Sequence, residues 1–99
     1  SKFQAVTRDL AFVVKQTVSV QSLLDVFHAE ILKADSCKIV QDIVLFDEYR
    51  GKGLENDEKS LAFRFSLQDT QNTLQDETVE QTMAALIAAA GASVSARLR

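Results

Sequence analysis

Few residues of this chain have the chemistry that catalysis requires. His28 and Cys37 are the only histidine and the only cysteine. His28 falls one position off an apolar helical stripe and is predicted to be exposed, whereas a lone cysteine is more typical of a small buried residue than of a nucleophile. Asp47 and Glu48 are adjacent on a predicted strand, so they point to opposite faces and cannot act as a paired acid and base. With no metal-ligand spacing in the sequence, we expect no catalytic, cofactor-binding or metal-binding residue.

A polar stretch over positions 48–58 contains Gly51 and Gly53 and predicts a long hairpin loop. Gly51-Lys52-Gly53 is too short for a phosphate-binding loop and leads into no predicted helix. Tyr49, the only tyrosine, stands at the mouth of this hairpin. An exposed tyrosine can stack on an unpaired base, a contact worth about 1–3 kcal/mol, or it can fold back over the sheet edge. Spacing alone favours neither arrangement.

The segment Lys59-Ser60-Leu61-Ala62-Phe63-Arg64-Phe65 weakly resembles the aromatic motif with which RNA-recognition sheets stack bases. Phe63 and Phe65, however, share a face with Leu61 and Leu67, and two helices need that face as their core. We therefore predict that both rings are buried. An RNA contact on this strand would use the opposite face.

Periodicity divides the chain into six elements. The predicted elements are a strand over 7–15, a helix capped by Ser19 that ends near 34–36, a strand over 37–47, a strand over 60–68, a helix over 76–90 with Gly91 as its left-handed cap, and a strand over 92–98. Apolar residues of the second strand fall on both parities, so its register requires a bulge that the sequence does not locate.

The order β-α-β-β-α-β predicts an α+β, ferredoxin-like sandwich: a four-stranded antiparallel sheet with both helices on one face. Right-handed crossovers place the first and third strands in the centre, the fourth beside the first and the second beside the third. The other face is left for solvent or a partner. This open face is predicted to carry Asp9, Ala11, Ser60, Ala62, Arg64 and Arg97, with Asp47 and Tyr49 at the hairpin mouth.

Composition limits the class of protein. The chain of 99 residues is 46% hydrophobic and 25% charged, which predicts one folded domain over 1–99. A net charge of −3 argues against a protein that wraps nucleic acid but leaves room for a small, local RNA contact. No signal peptide and no membrane-spanning run of about 20 apolar residues is visible, and one cysteine favours a reducing, cytoplasmic compartment.

A family resemblance is carried by Arg8-Asp9-Leu10-Ala11-Phe12 with Phe3, by Phe46-Asp47-Glu48-Tyr49-Arg50-Gly51-Lys52-Gly53, and by Lys59-Ser60-Leu61-Ala62. These blocks resemble the ferredoxin-fold anticodon-binding domain that closes the β subunit of bacterial phenylalanyl-tRNA synthetases. The resemblance spans essentially the whole chain, and it implies that the chain is the C-terminal fragment of a longer synthetase.

The resemblance also implies roles for individual residues. Tyr49 would stack under the first anticodon base of phenylalanine tRNA, and Asp47 and Ser60 would hydrogen-bond the polar edge of that base. Ala11 and Arg97 would line the sheet against neighbouring bases and backbone. The implied partners are the tRNA anticodon stem-loop, the rest of the β subunit and a catalytic α subunit in a heterotetramer, with no membrane and no DNA. ATP and magnesium would serve the full enzyme, with no cofactor in this domain.

Two alternatives use the same frame. The first is a regulatory module that binds an amino acid at the helix starts and pairs its sheets in a dimer. The second is an acylphosphatase-like enzyme, which would require an arginine-bearing glycine loop that this chain lacks.

Overall fold

A computed structural model describes residues 4–99; Phe3, which belongs to the first resemblance block, lies outside the described residues. The elements are β1 Val6–Lys15, α1 Val20–Lys33, a 3-10 helix Asp35–Ile39, β2 Val40–Tyr49, β3 Glu58–Leu67, α2 Asp76–Val94 and β4 Arg97–Leu98. The strands form one antiparallel sheet in the order β2-β3-β1-β4. The predicted ferredoxin-like topology is confirmed.

The core lies between the sheet and the two helices. Phe27 of α1 meets Phe12 of β1 and Phe63 and Phe65 of β3, with ring centroids 5.3–5.5 Å apart. The Phe63 centroid lies 6.4 Å from those of Phe12 and Phe65. All four rings are fully buried. The prediction that Phe63 and Phe65 belong to the core is confirmed, so these rings are not available to stack on RNA.

Helix α1 begins where the sequence predicts. The Oγ of Ser19 accepts a hydrogen bond from the Ser22 backbone N–H at 3.0 Å, which is the N-cap arrangement. The helix ends at Lys33, with Ala34 as its C-cap. Its buried residues are Leu23 and Phe27, while His28 is exposed as predicted.

The segment after α1 differs from the prediction, because the second strand begins at Val40 rather than at Cys37. Residues Asp35–Ile39 form a 3-10 helix in which Cys37 and Ile39 are buried. This turn buries two apolar side chains that are two positions apart, a spacing that a strand also produces. Alternation over so short a segment therefore could not distinguish the two structures.

The end of α2 also differs from the prediction. The helix runs through Gly91 to Val94, and Ser95, with φ of 56°, is the left-handed cap. The Ala96 N–H donates to the Ala90 carbonyl at 3.3 Å and closes the end. Since glycine costs about 1 kcal/mol in a helix interior and alanines flank it, the helix continues. The last strand is consequently only Arg97–Leu98, not 92–98.

Two irregularities fix the register of β2 against β3. The pairing shifts between Val40 and Asp42 and again between Leu45 and Asp47, so Gln41 and Phe46 are the extra residues. On either side of the second bulge, Leu45 pairs with Phe63 of the core face and Asp47 with Ala62 of the open face. The apolar residues on both parities are thereby accommodated in one strand.

Candidate nucleic-acid interface

Cross-strand pairing arranges the open face in three rows. Tyr49, Ser60, Val13 and Arg97 form the Tyr49 row; Asp47, Ala62 and Ala11 form the alanine row; Val44, Arg64 and Asp9 form the Arg64 row. All residues predicted for the open face from the sequence lie in these rows. The bulge at Phe46 is what places Asp47 and Tyr49 on the same face as Val44, because a one-residue slip in a strand reverses the direction of every side chain after it.

Tyr49 is held on the open face by the hairpin. Its hydroxyl donates to the Lys52 carbonyl at 3.0 Å. A Cβ on Gly51 would lie 3.4 Å from the Tyr49 hydroxyl oxygen, and Gly51 has a φ of 136°, a conformation that favours glycine. The guanidinium of Arg99 lies 4.4 Å from the centre of the ring. The ring is half-buried, so it is neither folded away behind the sheet nor fully free.

Asp47 and Ser60 occupy adjacent rows beside Tyr49. Asp47 is exposed, whereas Ser60, directly opposite Tyr49, is only 3% exposed. A ligand reaches the Ser60 hydroxyl only if the side chains that cover it shift. Between the rows, Ala11 pairs with Ala62, and these two small side chains make a low floor over which a flat ligand can approach the sheet.

Arg97 lies on the open face, but it is already paired. Its guanidinium donates to both carboxylate oxygens of Glu58, at 2.6 and 3.0 Å. Together with a hydrogen bond from the Glu55 N–H, this contact lowers the pKa of Glu58 to about 2. The pair joins the start of β3 to β4, and it neutralises much of the charge that Arg97 would offer to a phosphate.

Arg99 was not predicted from the sequence to belong to the open face. Its backbone N–H donates to the Ala11 carbonyl at 2.9 Å, which extends the pairing of β4 with β1 by one residue. Arg97 and Arg99 are two positions apart and therefore share a strand face. The sequence shows that alternation, but the predicted strand ended at position 98 and therefore did not include Arg99.

Phe46 and Val44 were also missed, because the bulge could not be placed from the sequence. Phe46 is 47% exposed and Val44 is 48% exposed. The Arg64 guanidinium lies 4.9 Å from the centre of the Phe46 ring and donates two hydrogen bonds of 2.9 Å to Asp9. These bonds lower the pKa of Asp9.

The remaining reactive residue types lie elsewhere. Cys37 is buried, and burial raises the pKa of its thiol. Among residues 4–99 no cluster of three or more histidine, cysteine, aspartate or glutamate side chains could hold a metal ion. Nor does that part of the chain contain a helix with the length and apolarity to cross a membrane.

A cavity of about 400 Å³ opens between the first residues of β1 and the start of α2, where the regulatory-module alternative would place an amino acid. Its charged lining residues are Arg8 and Asp76, both exposed. The guanidinium of Arg8 donates to the carbonyl of Thr7 within its own strand. Among the described residues, this cavity therefore has no buried charged side chain that would bind an amino acid.

Comparison with known proteins agrees with this geometry. The family model described as the ferredoxin-fold anticodon binding domain matches residues 1–99. Similar proteins include the phenylalanine–tRNA ligase beta subunits of Cupriavidus pinatubonensis and Burkholderia pseudomallei, each 50% identical over the whole of this chain. The same subunit of Nitrosospira multiformis is 46% identical over the whole chain. The chain spans only 12–13% of the length of these relatives.

Proposed function

The chain belongs to the ferredoxin-fold anticodon binding domain family, and from that premise we propose that its open face binds the anticodon stem-loop of a phenylalanine tRNA. The observation that supports this most is the Tyr49 ring, held on the sheet face opposite the helices, beside a low alanine floor and a guanidinium. Single-stranded RNA loops are recognised by such aromatic platforms, with polar groups beside them for the base edges.

Each residue of the proposed site has a role set by its position. Tyr49 stacks on one anticodon base, and Asp47 and Ser60 bind the polar edge of that base. Ala11 allows a neighbouring base to approach the sheet. Arg97 contacts the backbone through the side of its guanidinium not used by Glu58, since its side chain is 58% exposed.

We propose that Arg99 gives up its place on the Tyr49 ring when a base arrives. A cation–π contact at an exposed site is worth about 0.5–1 kcal/mol, whereas base stacking on an aromatic side chain is worth about 1–3 kcal/mol. The exchange is therefore favourable, and it releases an unpaired guanidinium at the edge of the site. We propose that the released Arg99 contacts an RNA phosphate.

The relatives' names place such domains in phenylalanine–tRNA ligase β subunits. We propose that this chain is a non-catalytic part of a longer ligase β subunit that assembles with a catalytic α subunit, in a heterotetramer, in the cytoplasm. The ligation of phenylalanine to tRNA would use ATP and magnesium elsewhere in that assembly. Binding by this chain would contribute mainly through its high effective concentration beside the tRNA body, since its net charge is −3.

The test is Tyr49→Ala in the assembled ligase. Loss of one stacked base predicts an increase in the KM for phenylalanine tRNA of about 5- to 150-fold, from the stacking energy of about 1–3 kcal/mol. Amino-acid activation, measured by pyrophosphate exchange without tRNA, should be unchanged, because the adenylate forms elsewhere.

Tyr49→Phe is the matched control, because it keeps the ring and removes only the hydroxyl that donates to Lys52. It should stay close to the parent KM. Impaired activation with intact use of tRNA would contradict the proposal, as would equal binding of cognate and non-cognate anticodon stem-loops by the parent ligase.

A further inference from the structure

The open face carries a second aromatic ring that the proposed contact through Tyr49 does not use. Phe46 is the extra residue of the β2 bulge, and it is 47% exposed. Its ring lies beneath the guanidinium of Arg64, 4.9 Å from the ring centre. Arg64 of β3 pairs with Val44 of β2 on one side and with Asp9 of β1 on the other, so this ring and guanidinium belong to the same face as Tyr49.

Asp9 determines how Arg64 can be used. It accepts hydrogen bonds from Nε and Nη2 of Arg64, both at 2.9 Å. This bidentate contact fixes the guanidinium plane and neutralises its charge. One planar face of the group lies over the Phe46 ring, and the opposite face remains, since the Arg64 side chain is 50% exposed. Arginine planes and aromatic rings are both surfaces on which unpaired RNA bases stack.

The spacing between the two rings suits contact with two different bases. Tyr49 and Phe46 are three residues apart on β2, which is at most about 10 Å at roughly 3.3 Å per residue. That distance is well above the roughly 3.4 Å between successive stacked bases, so one base does not lie on both rings. The Ala11–Ala62 floor lies between the Tyr49 row and the Arg64 row, so no bulky side chain of these central strands interrupts the path.

We propose that Phe46 and Arg64 form a second stacking platform, which binds an unpaired base of the same RNA loop at a position different from the base on Tyr49. This inference rests on the proposed function. This second platform would contact only the flat face of a base. It would not bind a phosphate, because Asp9 already neutralises the charge of Arg64.

A protein partner is a weaker occupant for this patch. Val44 and Phe46, each about half exposed, present together on the order of 100–200 Å² of surface, judging from the 150–250 Å² that an aromatic side chain buries. A standard protein interface needs about 800 Å² from each partner. An RNA loop would cover the alanine row and the Tyr49 row as well as this patch, so its contact area with the open face would be larger than that of the patch alone.

The experiment measures the Kd of the assembled ligase for phenylalanine tRNAs that each carry one abasic nucleotide in the anticodon loop. With intact tRNA, Phe46→Ala should weaken binding about tenfold, within the range of one stacked base. One abasic position should abolish this effect, and a different abasic position should abolish the effect of Tyr49→Ala. Phe46→Leu, which keeps apolar bulk and loses the flat ring, should behave like Phe46→Ala, whereas Phe46→Tyr should bind like the parent.

Leu32→Ala is the control, because it removes an apolar side chain that is 89% exposed on α1, away from the open face; it should leave the Kd unchanged. An unchanged Kd in Phe46→Ala and Phe46→Leu, with weakened binding in Tyr49→Ala, would overturn this inference and leave the proposed function intact. Unchanged binding in Tyr49→Ala as well would overturn both. Loss of subunit assembly with an unchanged Kd for the remaining assembled ligase would assign Phe46 to a protein interface and overturn the inference.

Discussion

On the helix-covered face of the sheet, four phenylalanine rings contact one another, whereas on the open face Tyr49 and Phe46 each contact a guanidinium. The covered rings are fully buried and make edge or tilted contacts at 5.3–6.4 Å. The two open-face rings are only partly buried. The packing of the covered rings against one another stabilises the fold. On the open face, an arginine that lies on a partly exposed ring can be replaced by another flat group, such as an RNA base.

The largest expected effect that separates the two faces is on stability. Phe27→Ala removes a ring that contacts Phe12, Phe63 and Phe65, and we expect a loss of about 3–5 kcal/mol in the free energy of unfolding. Phe46→Ala removes a ring that is half exposed, with an expected loss of about 1 kcal/mol. Urea unfolding of the two variants and the parent measures the difference.

If Phe27→Ala does not fold, Phe27→Leu provides the comparison, with a smaller loss expected because most of the volume is kept. Equal losses for the buried and the open-face substitutions would show that Phe46 is a core residue. The covered rings and the open-face rings would then not differ in their contribution to stability.

The covered face could be predicted from the sequence, and the open face only in part. Burial of Leu61, Phe63, Phe65 and Leu67 follows from strict alternation on β3, where a single register satisfies every apolar residue. No such constraint acts on β2, where Val44 and Phe46 have the parity opposite to Asp47 and Tyr49. The bulge that reconciles them depends on pairing with β3, which is a long-range contact.

The same distinction applies to the charged residues of the site. Position on the open face was predictable for Asp9, Arg64 and Arg97, because it depends only on strand parity. Their partners were not predictable, since the Arg97–Glu58 and Arg64–Asp9 pairs join residues 39 and 55 positions apart. The length of α2 was not predictable either, because a glycine in a helix interior costs only about 1 kcal/mol and α2 continues through Gly91 to Val94.

A second, smaller effect concerns acid stability at the edge of the open face. The folded pKa of Glu58 is lowered from 4.5 to about 2, chiefly by the hydrogen bonds from Arg97. A lowered pKa stabilises the fold above the unfolded pKa, and that contribution is lost as the pH falls from about 4.5 toward 2. Glu58→Gln should therefore flatten the decline in stability over this pH window, as measured by thermal unfolding at a series of pH values.

Asp57→Asn is the neighbouring control, because it removes an exposed carboxylate that pairs with Lys15 and leaves the Glu58–Arg97 pair in place. It should retain the acid slope of the parent between pH 4.5 and 2. A Glu58→Gln variant with the parent's acid slope would show that the Arg97 contact contributes nothing in the folded state. Arg97 would then be as free as Arg99 to bind phosphate.

The smallest expected effect distinguishes the two arginines of the last strand. Arg97 is engaged by Glu58, whereas Arg99 contacts the Tyr49 ring, which a base can displace. If Arg99 then binds one phosphate, Arg99→Ala should lower the slope of log Kd against log salt concentration by about 0.7, the value for one contact to a single strand. Over a fourfold range of salt this amounts to a difference of about 2.6-fold in Kd. Arg97→Ala should change the slope less, because its charge is already neutralised, and an equal change for both variants would show that Glu58 releases Arg97 when the RNA binds.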